Sequence, residues 1–290
     1  MYDLTSPSVI KNLCDSFGFS FKKSYGQNFL TDGEVLFGIA KSAGTDGVLE
    51  IGPGFGTLTA ALATVAKKVV SVELDESLKP VLKETLAGFS NVSVHYGDIM
   101  KTDIKKLINE EFSGMQVSVA ANLPYYVTTP ILMKLLEEKL SFSSIIIMVQ
   151  KEVAERIVAK PGKKDYGALT LAVSYYADAE ITDLVPAAKF IPAPKVDSAV
   201  VKLTLLPSPP VDAPERDYFR LVKASFSQRR KTLLNALANS GLYGGKEKIR
   251  EILENMGYDS NIRGETLSMQ EFSDLAIKLN DIKEKNSDGK

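Results

Sequence analysis

The sequence predicts an α/β fold: a doubly wound, mostly parallel sheet with an antiparallel last strand, followed by a small all-helical domain. Short apolar runs alternate with helical patterns through the first half of the chain, as in parallel sheets joined by crossover helices. A glycine-rich loop, Gly52 to Gly56, follows the first of these runs. After Pro207-Ser208-Pro209-Pro210 only helical patterns remain, so the domain boundary is predicted there.

Five apolar runs predict the parallel part of the sheet, because each is short, rich in β-branched residues and separated from the next by a helical pattern. Ligands bind such sheets at the carboxyl ends of the strands, so functional residues are expected just after each run. The runs are Val48–Ile51, Val69–Leu74, Val92–Tyr96, Val117–Ala121 and Ser144–Val149. The helical patterns are Glu34–Ser42, Thr57–Ala66, Ser77–Ala87, Ile104–Phe112 and Pro130–Lys139.

Two further strands, Glu180–Leu184 and Ser198–Leu205, follow a helical stretch at Gly167–Ser174. The segment Pro186–Pro194 between them is too short for a crossover helix, so these strands are predicted to be neighbours that pair antiparallel. The resulting domains are residues 1–207, in which 1–30 contributes to the site, a helical domain at 208–282, and a charged, disordered tail at 283–290.

Composition limits the possible functions. Apolar residues make up 44% and charged residues 24% of the 290 residues, as in a soluble globular protein. The longest apolar run, Ile145–Val149, is too short to cross a bilayer, and the N-terminus lacks the pattern of a signal peptide, so a cytoplasmic protein without membrane contact is expected. The single cysteine, Cys14, excludes an internal disulfide and a thiolate metal cluster, and the single histidine, His95, leaves no basis for a histidine metal site, so no metal is expected.

The glycine loop indicates a nucleoside site, because glycines let the backbone approach a ligand closely. Its glycines fall at 52, 54 and 56, and Thr57 stands where the dinucleotide fingerprint requires a third glycine in register, which argues against an NAD-dependent dehydrogenase. Glu73 ends the next strand and is placed to accept both hydrogens of a ribose diol. A structural turn and an ordinary surface acid are the alternative interpretation.

The ends of the third and fourth runs carry polar groups suited to an adenine. Asp98 is placed to accept a hydrogen bond from an adenine amine, although it fits a helix cap equally well. Asn122 and the carbonyl of Leu123 form an acceptor pair that draws an adenine amine out of conjugation, and Tyr125 offers a face for an unstacked base. A capped strand end with two packed tyrosines is the alternative.

Five segments together resemble the small-subunit ribosomal RNA adenine dimethyltransferase family. The likeness runs from about residue 20 to about residue 275, with the motifs in the family's order. The segments are Tyr25–Leu30, Glu50–Gly56, Asn122–Tyr125, Phe190–Val200 and Phe226–Thr232.

The resemblance implies a Rossmann-like, seven-stranded methyltransferase fold and dimethylation of the exocyclic amines of two adjacent adenosines near the 3′ end of small-subunit rRNA, with S-adenosylmethionine as the methyl donor. The target adenine would be flipped out and held between Tyr125 and Phe190, with Asn122 and Leu123 accepting from its amine. The cofactor residues would be Asn28, Leu30, Gly52, Gly54, Glu73, Asp98 and Asn122.

Basic residues indicate the RNA-contacting surface. The candidates are Lys22, Lys23, Arg229, Arg230 and Lys231, although a solvated face is the ordinary role of such clusters. The implied partners are small-subunit rRNA and the immature small ribosomal subunit, with the protein acting as a monomer. Two alternatives remain open: a methyltransferase acting on large-subunit RNA, and an assembly factor whose methylation is secondary.

Overall fold

The computed structural model describes residues 2–20, 28–228 and 230–287, with side chains as far as residue 280. Its centre is a seven-stranded sheet with helices between the strands, which confirms the predicted α/β class. None of the helices in the described ranges has the length and apolar character needed to cross a membrane.

The main sheet has the strand order β4-β3-β2-β5-β6-β9-β7. The first five of these strands are mutually parallel, and β9 pairs antiparallel with β6. β7 and β9 are neighbours, as predicted. The strands are β1 (Phe29–Leu30), β2 (Gly47–Ile51), β3 (Lys68–Glu73), β4 (Val92–Tyr96), β5 (Val117–Asn122), β6 (Phe142–Gln150), β7 (Ala177–Val185), β8 (Phe190–Ile191) and β9 (Ser198–Leu205).

Helices connect the strands and then make up the C-terminal part of the chain. Those within the first 180 residues are α1 (Pro7–Phe17), α2 (Gly33–Ala43), α3 (Thr57–Ala63), α4 (Lys79–Thr85), α5 (Ile104–Glu111), α6 (Tyr125–Glu137), α7 (Lys151–Ile157) and α8 (Ala168–Tyr176). The later ones are α9 (Glu215–Phe226), α10 (Leu233–Ser240), α11 (Lys246–Asn255) and α12 (Met269–Ser287).

The position of β2 fixes where a ligand can bind. β2 lies between β3 and β5, and the chain leaves it first toward β3 and β4 and later toward β5 and β6. The strand order therefore reverses beside β2, and a crevice opens at the carboxyl ends of the strands at such a point. All five residues of β2 are buried, including its one charged residue, Glu50.

A second, two-stranded sheet was not predicted. Phe29 pairs with Ile191 and Leu30 with Phe190, in antiparallel register. Each strand has only two residues, which is too short to give a periodic pattern, and the pairing joins segments about 160 residues apart. This small sheet brings two of the predicted site segments together.

Three helices depart clearly from what the sequence predicts. α6 begins at Tyr125 rather than at Pro130, so the proline lies inside the helix and withholds one hydrogen bond from it. α7 was not predicted, although it has the same seven-residue length as α3 and α4. α12 continues to Ser287, five residues into the segment predicted as a disordered tail.

The chain divides into two compact units, residues 1–154 with 178–205, and residues 155–177 with 206–290. The second unit thus includes a segment that the sequence places in the first domain. Its own core explains why: in α8, the Tyr175 ring lies 5.1 Å from that of Tyr218 in α9, and the Tyr166 hydroxyl donates to the Leu267 carbonyl at 2.8 Å.

Candidate active site

The glycine loop after β2 takes a backbone conformation that only glycine adopts easily. The φ angles of Gly52, Gly54 and Gly56 are 72°, 60° and 84°. A Cβ on Gly54 would lie 2.6 Å from the Phe29 ring, so the loop also needs glycine there for space. Phe29 therefore packs directly against the loop, and its ring centroid lies 4.5 Å from that of Phe55.

Glu73, the last residue of β3, is held in one orientation by two backbone N–H groups. Gly54 N donates to Oε2 at 3.1 Å, and Asp75 N donates to Oε1 at 2.8 Å. The side chain is buried, and this burial raises the pKa of its carboxyl above the ordinary value. Each oxygen keeps a second lone pair, so the carboxylate can accept two further hydrogen bonds from a ligand.

Glu50, beneath the same loop, is a feature that the sequence analysis did not single out. Its Oε2 accepts from Thr59 Oγ1 and Ser71 Oγ, each at 2.6 Å, and thereby ties β2 to α3 and β3. The residue is fully buried, Oε1 has no hydrogen-bond partner among the described atoms, and burial raises the pKa to about 7. The sequence could have indicated this buried carboxyl group, because Glu50 is a charged residue inside an otherwise apolar strand.

Asp98 follows β4 and is already engaged locally. Its Oδ1 accepts from Met100 N at 2.9 Å, and Oδ2 lies 3.9 Å from Lys101 Nζ. This first contact caps a turn rather than a helix, because residues 99–101 form a turn and the N-cap of α5 is Asp103. Asp98 nevertheless lines the same cavity as Glu73, and its side chain remains 34% exposed.

The segment Asn122 to Tyr125 joins the end of β5 to the start of α6. Asn122 is the last residue of the strand and lines the cavity, and its side chain has no hydrogen-bond partner within the described ranges. Tyr125 is the first residue of the helix, and its hydroxyl lies 2.7 Å from that of Ser198. Burial raises the Tyr125 pKa, so the phenol stays neutral and its hydrogen bond to Ser198 is retained at physiological pH.

Phe190 reaches the same place from β8. It is 3% exposed, packs in the core cluster with Leu30 and Leu36, and also lines the cavity. Phe190 therefore belongs to the core and lines the cavity at the same time. Phe190 and Tyr125 line the same cavity.

One cavity collects every predicted cofactor and base-contacting residue, while other residues on its wall were missed. Leu74, Met100 and Tyr126 each follow the carboxyl end of a strand and remain 51%, 43% and 59% exposed. Their positions after strand ends could have indicated a role in the site, but their side chains carry no chemistry that distinguishes them from other surface residues. The predicted residues on this cavity are Asn28, Leu30, Gly52, Gly54, Glu73, Asp98, Asn122, Leu123, Tyr125 and Phe190.

Comparison with known proteins identifies the family. The model of the ribosomal RNA adenine dimethylase family matches residues 18–275. The chain belongs to this family. A relative named ribosomal RNA small subunit methyltransferase A, from Bacillus cereus, is 48% identical over 96% of this chain and 98% of its own length. One from Bacillus anthracis matches with the same identity and coverage.

Solved structures agree with the family assignment. A dimethyladenosine transferase from Plasmodium falciparum superposes with a TM-score of 0.72 at 29% identity, covering 87% of this chain and 98% of that one. The 23S rRNA methyltransferase ErmE superposes with a TM-score of 0.64 at 25% identity, covering 87% and 99%. The chain is therefore an S-adenosylmethionine-dependent RNA methyltransferase, as the resemblance implied.

The cavity of this adenine dimethylase fits the cofactor of its family. Gly54, pressed against Phe29, leaves no room for a side chain at the loop. Glu73 presents a fixed carboxylate with free acceptor capacity at the next strand end, as a ribose diol requires. The exposed side chains of Leu74 and Met100 supply apolar surface beside it. Asn28, Leu30, Gly52 and Asp98 complete the set that would hold the cofactor.

The RNA-contacting residues proposed for this family member are only partly described. Lys22, Lys23 and Arg229 lie outside the described residues, as do positions 25–27 of the Tyr25 motif. Arg230 and Lys231 are exposed in the turn that precedes α10, whose N-cap is Thr232, with its side chain accepting from Asn235 N at 3.3 Å. The cap fixes the backbone beside these two cations.

Proposed function

We propose that this protein dimethylates the exocyclic amines of two adjacent adenosines near the 3′ end of small-subunit rRNA during ribosome biogenesis. The observation that carries the proposal is the convergence of Asn122, Tyr125 and Phe190 with Glu73 on one cavity. Two relatives with 48% identity are named as small-subunit methyltransferases, which supports the small subunit as the target.

The donor side of the proposed site is the glycine loop and the strand ends of β3 and β4. S-adenosylmethionine, when bound, supplies a methyl group on a positively charged sulfur. Glu73 accepts from the ribose hydroxyls, and its two backbone hydrogen bonds keep it in place without a ligand. This arrangement fixes the donor before RNA arrives, so that catalysis consists mainly of positioning.

The acceptor side is the segment from Asn122 to Tyr125. The Asn122 side-chain oxygen and the Leu123 carbonyl accept the two hydrogens of the adenine amine, which concentrates the lone pair on nitrogen. Tyr125 and Phe190 supply faces between which the flipped base lies. The Ser198 hydroxyl, 2.7 Å from that of Tyr125, restrains the tyrosine ring.

A methyl-transfer assay tests the enzyme directly. Undermethylated small subunits, naked rRNA and mature subunits serve as substrates, with radiolabelled donor. Asn122→Ala is expected to abolish incorporation while the protein stays folded. Near-normal turnover by Asn122→Ala would contradict the proposed role of the acceptor pair.

Mapping the methylated positions tests the target. RNA from a deletion strain with and without the complementing gene is analysed by mass spectrometry. We expect dimethyladenosine in small-subunit rRNA only when the gene is present. Methylation confined to large-subunit RNA would instead favour the activity for which ErmE is named, methylation of 23S rRNA. Normal subunit assembly with the Asn122→Ala protein alone would instead favour the assembly-factor hypothesis.

The proposed activity also implies partners, an oligomeric state and a cellular compartment. The partners are small-subunit rRNA and the immature small subunit, the working form is a monomer, and the compartment is the cytoplasm. Arg230 and Lys231 are exposed cations that suit phosphate contacts in this setting. Cell fractionation tests the compartment, and co-sedimentation with precursor subunits tests the partner.

A further inference from the structure

The two-stranded sheet of β1 and β8 joins a wall of the cofactor site to a wall of the base site. β1 carries Leu30, which lines the cavity on the predicted cofactor side, and β8 carries Phe190. Leu30 and Phe190 are partners in the ladder, so a shift of one strand moves both walls. A pair of two-residue strands has little stability of its own, so other contacts must hold it.

Contacts immediately beside the ladder provide that support. Thr31 donates to the Lys189 carbonyl twice, from its backbone N–H at 2.8 Å and from Oγ1 at 2.9 Å. Lys189 Nζ then lies 2.8 Å from Asp32 Oδ2. The backbone of each segment is therefore bonded to the other, and the side chains of Asp32 and Lys189 close the junction.

Asp32 has a fixed position, which gives the ion pair a rigid end. Its Oδ1 accepts from Glu34 N at 3.0 Å and Val35 N at 3.2 Å, so it is the N-cap of α2. Its side chain is 14% exposed, against 50% for that of Lys189. The hydrogen bond from Lys189 lowers the Asp32 pKa and raises that of Lys189, so both groups are charged at neutral pH.

On its other side, β1 packs against the glycine loop. The Phe29 ring occupies the space in which a Cβ of Gly54 would lie. The glycine loop therefore contacts β1, β1 pairs with β8, and the Asp32–Lys189 ion pair lies at the end of this ladder. A loosened ladder would free Asn28 and Leu30 from the cofactor side and Phe190 from the base side.

We propose that Asp32 and Lys189 are positioning residues, whose ion pair holds the β1–β8 ladder closed and so couples cofactor affinity to placement of the target adenine. The inference rests on the proposed function for the identity of the two ligands. It assigns a function to two residues that contact neither ligand. A partly exposed ion pair contributes modestly to stability, so the effect is a measurable shift rather than a loss of activity.

The test is binding of S-adenosylhomocysteine by calorimetry to the full-length protein. Lys189→Met is expected to raise Kd about three- to fivefold, and Lys189→Arg to restore it to within about twofold. Asp32→Asn keeps the capping oxygen but not the charge, and is expected to match Lys189→Met. The double variant should bind no more weakly than either single one, because both remove the same interaction.

Lys67→Met is the matched control. Lys67 pairs with Asp46 at 3.0 Å, and that aspartate likewise accepts a backbone N–H, from Gln116. This pair precedes β2 and β3, at the opposite end of the strands from the cavity. Lys67→Met should leave Kd unchanged.

A second readout checks the base side: at saturating cofactor, Lys189→Met should also lower kcat for methyl transfer about threefold. Wild-type Kd in Lys189→Met and Asp32→Asn would overturn the inference, as would equal losses in Lys189→Met and Lys67→Met. A wild-type protein that bound no S-adenosylhomocysteine would overturn the proposed function as well.

Discussion

The hydroxyl of Tyr125, the first residue of α6, lies 2.7 Å from the hydroxyl of Ser198, the first residue of β9. This hydrogen bond links the acceptor segment after β5 to the strand inserted between β6 and β7. Ser198 is fully buried, so its hydroxyl depends on a protein partner rather than on water.

Variants at Tyr125 should separate the contribution of its aromatic ring to catalysis from that of its hydrogen bond to Ser198. Tyr125→Phe keeps the aromatic face and removes one hydrogen bond worth about 1 kcal/mol, so kcat should fall about fivefold. Tyr125→Ala removes the face as well and should lower kcat at least about a hundredfold. Ser198→Ala should match Tyr125→Phe, measured as initial methyl-transfer rates. Equal rates for Tyr125→Ala and wild type would exclude the stacking role.

Gly54→Ala should destabilise the protein and weaken cofactor binding together. The new methyl group meets the Phe29 ring at 2.6 Å, and alanine must also adopt a φ of 60°. A cost of about 1–3 kcal/mol in unfolding free energy is expected, with a raised Kd for S-adenosylhomocysteine. Urea denaturation and calorimetry provide the two measurements.

Gly38→Ala is the opposing control for that experiment. Gly38 lies in α2, and nothing lies within 4 Å of the position of its Cβ. Alanine exceeds glycine in helix propensity by about 1 kcal/mol, so this variant should gain stability and keep its cofactor affinity. A loss of stability in Gly38→Ala similar to that in Gly54→Ala would show that the loop geometry is not the cause.

Glu50 should make stability fall as pH rises through the range in which it ionises. Its pKa is raised from 4.5 to about 7 in the folded state, so the folded protein binds the proton more tightly than the unfolded chain does. Unfolding free energy should therefore decrease between about pH 4.5 and pH 7, by about 3 kcal/mol at most, and level off above that.

Glu50→Gln removes this titration and keeps an acceptor oxygen for Thr59 and Ser71. The variant should be more stable than wild type at pH 8 and similar at pH 5, as measured by urea denaturation. The predicted difference comes from burial of the charge, so it should persist at high salt. Parallel pH profiles for the two proteins would mean that Glu50 is not the titrating group.

Charge reversal at Arg230 and Lys231 should act on RNA alone. Replacing both by glutamate is expected to weaken binding to precursor small subunits and to reduce the slope of log K against log salt by about 1–2. Affinity for S-adenosylhomocysteine should not change. Lys246→Glu, at the exposed first position of α11, is the control within the same unit. An unchanged salt slope in the double variant would rule out phosphate contacts.

The sheet and the glycine loop were predictable because their signals are local. Val48–Ile51 and Val69–Leu74 are recognisable in the sequence as apolar runs. The positive φ angles of the loop from Gly52 to Gly56 are expected because glycine adopts them easily. The β1–β8 ladder and the Tyr125–Ser198 hydrogen bond were not predictable, since each joins residues far apart in the chain and neither strand end has a distinctive pattern. The early start of α6 was missed because Pro130 is normally expected at the first turn of a helix.

The assignment of residues 155–177 shows another limit of sequence reasoning. α8 has an ordinary apolar pattern, which says that it is buried but not in which core. Its aromatic neighbours, Tyr218 and Phe219, are more than 40 residues further along, and they belong to the core in which α8 is buried.

The insertion of β9 between β6 and β7 has a consequence for synthesis of the chain. β6 presents the fully buried residues Ile145, Ile146 and Val149 along an edge that only β9 pairs, and β9 is translated about 50 residues later. Until residue 205 leaves the exit tunnel, the nascent sheet has an open apolar edge of the kind that promotes association between chains. Slow or paused translation between residues 150 and 205 should therefore lower the soluble yield more than a pause after residue 206.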